Sequence, residues 1–421
     1  MRQNAANWLE LADKVWNFRR DLLTASEAAG LTDRRDELRR NLRDRADAGK
    51  LKLAIESLEE ALRRAGGAIY PKSSLTEQIE FFLVAAIVIL GIRTYFVQPF
   101  KIPTNSMWPT YYGMTEENYP PGAEAPGFAG QVFRFFAYGA QRREAIAPRS
   151  GEVMAQFYAT GQMAYTLRTG RSWLVFPSQV REYTFYVDGA PAAVRVPLDF
   201  DAFDEAMART FFGSESAFSQ YFQQAIREGR IMESSVRVSE NSSELRPVLT
   251  LPLNKTVRKG DPILRFDLMT GDQLFVDRIS YNFVRPEVGQ GFVFRTDHIP
   301  EIGKADYYIK RLVGVPGDVM EVREPVLYRN GRPIAGAPVF ALEAARTAPY
   351  GGYTYGDELY GGAHLFRGQT LTVPSGAFFA MGDNSARSAD GRVWGFVPAK
   401  DAIGRPLFIY FPFTRRWGLA R

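Results

Sequence analysis

The sequence has 421 residues, with 52 Lys+Arg against 47 Asp+Glu, 46% hydrophobic and 14% aromatic content: enough for two or three folded domains, and not the composition of a disordered chain. It holds no cysteine and two histidines, His298 and His364. Disulfides, thiolate zinc sites and cysteine nucleophiles are thereby excluded, and a histidine metal cluster or a Ser-His-Asp triad has little to be built from. The net charge of +5 suits an anionic membrane surface as well as nucleic acid, but no aromatic-interleaved basic stripe favours a nucleic-acid partner, and none is expected.

Residues 1–66 read as helix. Apolar residues recur at helical spacing through Trp8, Leu9, Leu11, Ala12, Val15, Trp16, Leu22 and Leu23, and Gly30 breaks the pattern. A second run follows Thr32-Asp33 as N-cap, with Leu38, Leu42, Leu51, Ile55, Leu58 and Leu62 before Gly66-Gly67. The expectation for 1–72 is a cytoplasmic helical hairpin with a solvated charged face, or more sharply a coiled coil that binds a protein partner.

From Ile79 the character changes to an apolar run, unbroken from Phe81 to Ile92 and extended through Tyr95, Phe96 and Val97 past one charge, Arg93. A membrane-crossing helix needs about 20 mostly apolar residues, and Ile79 to Val97 supplies 19 if Arg93 snorkels to the interface. A short run of this kind also suits a buried core helix. The abrupt start after Glu77 and Glu80, and the aromatics at the far end, favour a bilayer-spanning anchor over 79–97. The run begins some 80 residues in and no small-residue cleavage site follows, so it is expected to remain uncleaved. Arg63, Arg64 and Lys72 on the N-terminal flank favour a cytoplasmic N-terminus, against Arg93 and Lys101 on the other side.

Nine residues after Val97 comes Ser106, inside Pro103-Thr104-Asn105-Ser106-Met107-Trp108-Pro109. Nine residues reach at most about 30 Å, which leashes this hydroxyl to the membrane surface. Residues 111–150, rich in Gly and Pro, read as loop. Short alternating segments follow from about 151, including Arg181 to Val187 ending in the hairpin signal Asp188-Gly189. Next come an amphipathic helical patch from Phe203 to Glu228 and strands at Val236–Val238 and Val248–Leu251. No chemistry-bearing motif lies in 111–260, which is expected to be an inserted α+β subdomain. From 270 onward strand and turn signals are dense: 271–276, 291–294, Tyr307 to Gly314, the turn Val315-Pro316-Gly317-Asp318, and Val326 to Arg329 with Asn330-Gly331. The segments 98–110 and 261–421 are expected to form one mainly β domain.

A serine hydroxyl is a poor nucleophile until a base takes its proton, and histidine is scarce here. Lysine can serve if burial lowers its pKa from about 10.4. Lys310 sits in an apolar, β-prone run, although on local sequence alone an exposed edge-strand charge beside Arg311 is the better reading. Four motifs in order change that: Pro103 to Thr110, Gly271-Asp272 through Tyr281, Tyr308 to Asp318, and Gly382-Asp383-Asn384 through Ser388-Ala389-Asp390, continuing Gly391-Arg392-Val393-Trp394-Gly395. Together with the preceding anchor they closely resemble the type I signal peptidases, membrane-bound Ser-Lys proteases that remove signal peptides from exported preproteins.

The resemblance covers roughly 79–110 and 265–412. It implies a signal-peptidase-like antiparallel β domain, Ser106 as nucleophile and Lys310 as general base. It also implies an oxyanion hole from Thr104 and the backbone N–H of Ser106, and Ser388 as the group that orients the lysine amine. Asp383 and Arg311 occupy nearby motif positions, and Asp390 with Arg392 matches a structural ion pair. The implied substrates are preprotein signal peptides, the implied surroundings a bacterial-type plasma membrane with the catalytic domain outside, and no cofactor or metal is called for. The chain departs from the family in Ser385-Ala386-Arg387, in Gly391 after Asp390, in the long N-terminus, and in the 160 or so residues between Thr110 and Gly271. Two rivals are a soluble self-cleaving Ser-Lys repressor, which the membrane run argues against, and a catalytically idle tethered β-domain.

Overall fold

The computed structural model describes residues 1–71, 74–120, 122–172, 176–303 and 306–420. The chain divides into two compact units, Met1–Gly91 and Ile92–Arg421.

The first unit begins with three helices rather than the expected hairpin: α1 (Arg2–Arg19), α2 (Ala25–Arg43) and α3 (Ala48–Ala65). Gly30 does not break the chain but lies inside α2. The real boundaries are set by caps. Thr24 accepts from the Glu27 N–H while the Glu27 carboxylate accepts from the Thr24 N–H, and Asp47 accepts from Gly49 and Lys50. Ala12, Val15, Leu31, Leu38, Leu51, Leu58 and Leu62 meet in one buried core. A fourth helix, α4 (Ser74–Tyr95), carries the apolar run; it is 22 residues long, and none of its apolar window is buried in protein. It starts before Ile79 and stops before Val97, which instead opens a strand. Of the flanking cations, Arg63 and Arg64 close α3, whereas Lys72 lies outside the described residues.

The second unit is built on an antiparallel sheet of eight strands. In chain order these are β1 (Val97–Lys101), β2 (Gln273–Asp277), β3 (Gly291–Arg295), β4 (Tyr307–Gly314), β5 (Ala377–Met381), β6 (Phe396–Pro398), β7 (Ala402–Phe411) and β8 (Gly418–Leu419). The spatial order is β1-β2-β7-β3-β4-β5-β6, with β8 added to β7. β4 lies between two neighbouring strands, and every residue from Lys310 to Gly314 is buried. Phe292, Phe294, Leu312, Phe378 and Trp394 fill one cluster and Val313, Met320, Leu327, Phe340 and Phe379 another. A small sheet of 319–323, 326–329, 332–333 and 370–372 flanks the second cluster, with Asn330-Gly331 at its hairpin turn.

The insert between β1 and β2 has its own core, from Met114 to Leu268. A six-stranded sheet packs with α5 (Phe203–Phe212) and α6 (Glu215–Arg227), which split the expected helical patch where Gly213 turns left-handed and Ser214 caps the next helix. The expectation of loop over 111–150 is wrong. Thr115–Asn118 and Gln141–Ile146 are strands that pair on either side of Pro262–Met269, and Phe128–Tyr138 is a helix. Pro262–Met269 carries the insert's packing past residue 260, since Ile263, Leu264 and Phe266 belong to its core.

Candidate active site

Ser106 sits in a single 3-10 turn, Asn105–Met107, that follows β1. Pro103 and Pro109 keep the segment from extending into a longer helix, and its shape is fixed from both sides. The Asn105 carboxamide accepts from the Gly113 N–H at 3.0 Å and donates to the Met114 carbonyl at 2.8 Å, closing the loop on itself. The Gly271-Asp272 motif clamps the same loop. The buried Asp272 carboxylate accepts from the Tyr112 N–H at 2.8 Å and from Arg416, and its carbonyl accepts from the Ile102 N–H at 2.9 Å.

The central strand brings Lys310 to this turn. Its Nζ donates to the Ser106 Oγ at 2.5 Å across 204 residues of sequence. Lys310 is 4% exposed, opposite the fully buried Phe292 in the β3–β4 ladder and two residues before the fully buried Leu312. Burial disfavours the ammonium and pulls its pKa down to about 8; the Asp390 and Asp383 carboxylates pull back upward, and the Arg392 guanidinium pushes down. The reading of Lys310 as an exposed edge-strand charge does not survive: the strand is central and the side chain is buried. Its neighbour Arg311 forms a buried fork with Asp383, with Nε to Oδ1 at 3.0 Å, and donates to the Gly289 carbonyl at 2.9 Å. Thr110 donates to the other Asp383 oxygen, so this pair ties β4 to the end of the Ser106 loop.

The third side comes from 382–395. The Asn384 N–H donates to the Ser106 carbonyl and its carboxamide to the Asn105 carbonyl, both at 3.1 Å. Gly382 fits where nothing larger could: a Cβ there would lie 2.2 Å from the Ser388 Oγ and 2.4 Å from the Ser106 carbonyl oxygen. Asp390 and Arg392 are both fully buried and joined through two hydrogen bonds, at 2.9 and 2.7 Å. Asp390 also accepts from the Gly382 N–H, and Arg392 donates to the Ser385 carbonyl. Burial raises the Asp390 pKa but the Arg392 pair outweighs it, and the carboxyl stays below its ordinary range.

The structure therefore brings Ser106, Lys310, Arg311, Asp383, Asp390 and Arg392 into one connected network. Ser388 is buried beside Gly382, but its hydroxyl makes no hydrogen bond among the described residues, to Lys310 or to anything else. Thr104 precedes the 3-10 turn in extended conformation, its backbone pressed against Gly113 so closely that a Cβ at 113 would sit 2.2 Å from the Thr104 carbonyl carbon. Sequence reasoning gave no role to Asn105, Thr110, Gly382 or Asn384. All four lie inside the quoted motifs, and Asn105 and Asn384, being short amides between turn residues, were the available signal. No group of three or more metal-ligating side chains occurs among the described residues.

A family model described as "Signal peptidase, peptidase S26" matches residues 264–411, the span that holds Lys310, Arg311, Asp383, Ser388, Asp390 and Arg392. The "Probable signal peptidase I-1" of Synechocystis sp. is 34% identical over 159 residues, which is 36% of this chain and 67% of that protein. The signal peptidase I of Bacillus caldolyticus is 32% identical over 151 residues, 35% of this chain and 74% of that protein. Among solved structures, a signal peptidase I of Enterococcus faecalis is 29% identical, covering 29% of this chain and 97% of that one at a TM-score of 0.22.

Proposed function

Because the chain belongs to the signal peptidase I family of serine endopeptidases, we propose that Ser106 and Lys310 are the dyad with which it cuts signal peptides from exported preproteins. The observation that carries this is the hydrogen bond from a buried lysine amine to the hydroxyl of a serine held in a rigid turn.

The chemistry runs in two halves. Neutral Lys310 accepts the Ser106 proton as Oγ bonds to the scissile carbonyl carbon, whose oxygen becomes an oxyanion. The Ser106 N–H and the Thr104 hydroxyl donate to that oxyanion, each worth about 3 kcal/mol of transition-state stabilisation. The C–N bond breaks, Lys310 returns the proton to the leaving amine, and the mature protein departs, leaving the signal peptide as an ester on Ser106. A water then gives its proton to Lys310 and attacks the ester; the proton returns to Oγ as the peptide acid leaves. Ser388, buried beside Gly382 but not hydrogen-bonded to Lys310 in this structure, is assigned the role of orienting the lysine amine on the family resemblance alone. Arg311–Asp383 and Asp390–Arg392 hold the two walls.

The substrate binds extended along an edge strand, with small residues before the cut, as the family prefers. Anchoring enzyme and substrate in one plane supplies orientation without contact energy. Ser74–Tyr95 is read as that anchor, in a bacterial-type plasma membrane, with residues before it cytoplasmic and the β unit outside; Arg63 and Arg64 support the orientation. The N-terminal helices and the insert are the places for a protein partner.

Incubating the full-length protein in vesicles with a generic preprotein, and sequencing the N-terminus of the product, tests the reading. A single cut after the signal peptide, absent with Ser106→Ala, is expected. No cut, or a cut that persists in Ser106→Ala, overturns it.

A further inference from the structure

The helix Phe128–Tyr138 is amphipathic with its faces reversed. None of its eleven residues is buried. Its one charged side chain, Arg134, points inward and is 17% exposed, paired with Asp267 and Glu117. Its apolar side chains face out: Phe128 is 83% exposed, Phe133 63% and Phe136 70%, with Val132 and Phe135 also exposed. A water-soluble surface helix has the opposite arrangement. The patch does not end with the helix, because the Phe413 N–H donates to the Ala137 carbonyl at 3.0 Å and the Phe413 ring lies 6.4 Å from Trp417. Phe413 and Trp417 are both more than half exposed, and Arg415 between them is exposed too.

We propose that this helix, with Phe413 and Trp417, lies in the interfacial zone of a bilayer as a lipid contact additional to the span. The inference rests on the reading of Ser74–Tyr95 as an anchor. Continuity supports it: β1 begins at Val97, and exposed Tyr95 and Phe96 lead into it. The far end of β1, Lys101, pairs with Gln273, which pairs with Phe411, two residues before Phe413. Four steps along a strand at about 3.3 Å, two strand spacings of about 4.8 Å and the two residues on to Phe413 put the start of the patch within about 30 Å of Val97. A surface tethered that close to a membrane meets it at high effective concentration. Composition agrees, since phenylalanines with a tryptophan and an arginine at the margin are what interfacial segments carry. A second copy fits less well: an 11-residue helix is about 16 Å long and about 10 Å wide, and even with Phe413 and Trp417 beside it the footprint stays below the roughly 800 Å² per partner of a stable interface.

The chain has no cysteine, so single cysteines bearing a nitroxide report without background. Phe133→Cys and Phe136→Cys, on one face of the helix, would be labelled in the full-length protein in phosphatidylcholine–phosphatidylglycerol vesicles. Val84→Cys in the span and Glu233→Cys on an exposed strand are the controls. Both helix positions are exposed, so the label displaces no core contact. The expected result is that both helix labels collide with oxygen in preference to an aqueous nickel chelate, as Val84 does, at every protein-to-lipid ratio. Labels as open to the nickel chelate as Glu233 would overturn the inference, and so would shielding that grows with protein-to-lipid ratio, which marks a second copy. A Val84 label open to nickel would instead overturn the anchor itself.

Discussion

In the proposed dyad, Lys310 sets the pH at which the site works. Burial lowers the pKa of its amine to about 8, and only the neutral amine can take the Ser106 proton. The active form therefore dominates above about 8 and is lost as pH falls through it. In the acid limb kcat/KM should fall about tenfold per pH unit, as measured on a preprotein substrate between pH 6 and 9; a flat profile over that range would mean another base. Thr104 makes a separate prediction. If its hydroxyl meets only the oxyanion, Thr104→Val lowers kcat by roughly 10²–10³ with KM little changed, because the Ser106 N–H remains. A raised KM with kcat intact would make Thr104 a binding-cleft residue instead. Ser388 tests the lysine-orienting role in isolation. Its buried hydroxyl makes no hydrogen bond among the described residues, so Ser388→Ala should leave thermal stability unchanged or slightly raised, while kcat falls. Unchanged kcat would remove Ser388 from the machinery.

Among the elements, the short segment 382–395 holds the site with the least slack. Asp390 is fully buried, paired with Arg392, and bound to the Gly382 N–H. Asp390→Ala leaves the Arg392 charge buried and half-satisfied, which costs about 3–5 kcal/mol and should show as a marked fall in melting temperature. Stability within about 1 kcal/mol of the parent would mean that the pair is not needed to hold this wall.

The elements also show what the sequence made legible. Strands such as Tyr307–Gly314 and the Asn330-Gly331 hairpin follow from β-branched and aromatic runs between turn residues, and the structure has them there. Helix ends were harder. Thr24 with Glu27, and Asp47, are caps in plain sight, but the weak apolar pattern around Gly30 drew the boundary to the wrong place. The helix Phe128–Tyr138 was hidden for a physical reason: its apolar residues face outward, and the Gly and Pro around it resemble loop.

At the scale of the whole molecule, the family-matched span begins at residue 264, yet the serine opposite its lysine lies at 106. What joins them is spatial: Asp272, Asn384 and the Arg311–Asp383–Thr110 fork all reach the Ser106 loop, so an insert of this size leaves the geometry intact. The sequence could place Ser106 and Lys310 through motif order, but not the amide and glycine contacts, which depend on which loops meet. Topology makes its own prediction. External protease added to intact right-side-out cells should digest the unit after about residue 98 and spare the three N-terminal helices. Protection of the C-terminal unit would reverse the orientation read from Arg63 and Arg64.

Activation of Ser106 by a buried lysine is read out by turnover of a preprotein by purified Lys310→Ala beside the parent protein, with melting temperature recorded for both. Lys310→Ala should lose about 10⁴-fold or more in kcat, matching Ser106→Ala, in a protein that still folds. Near-parental turnover by folded Lys310→Ala would contradict it.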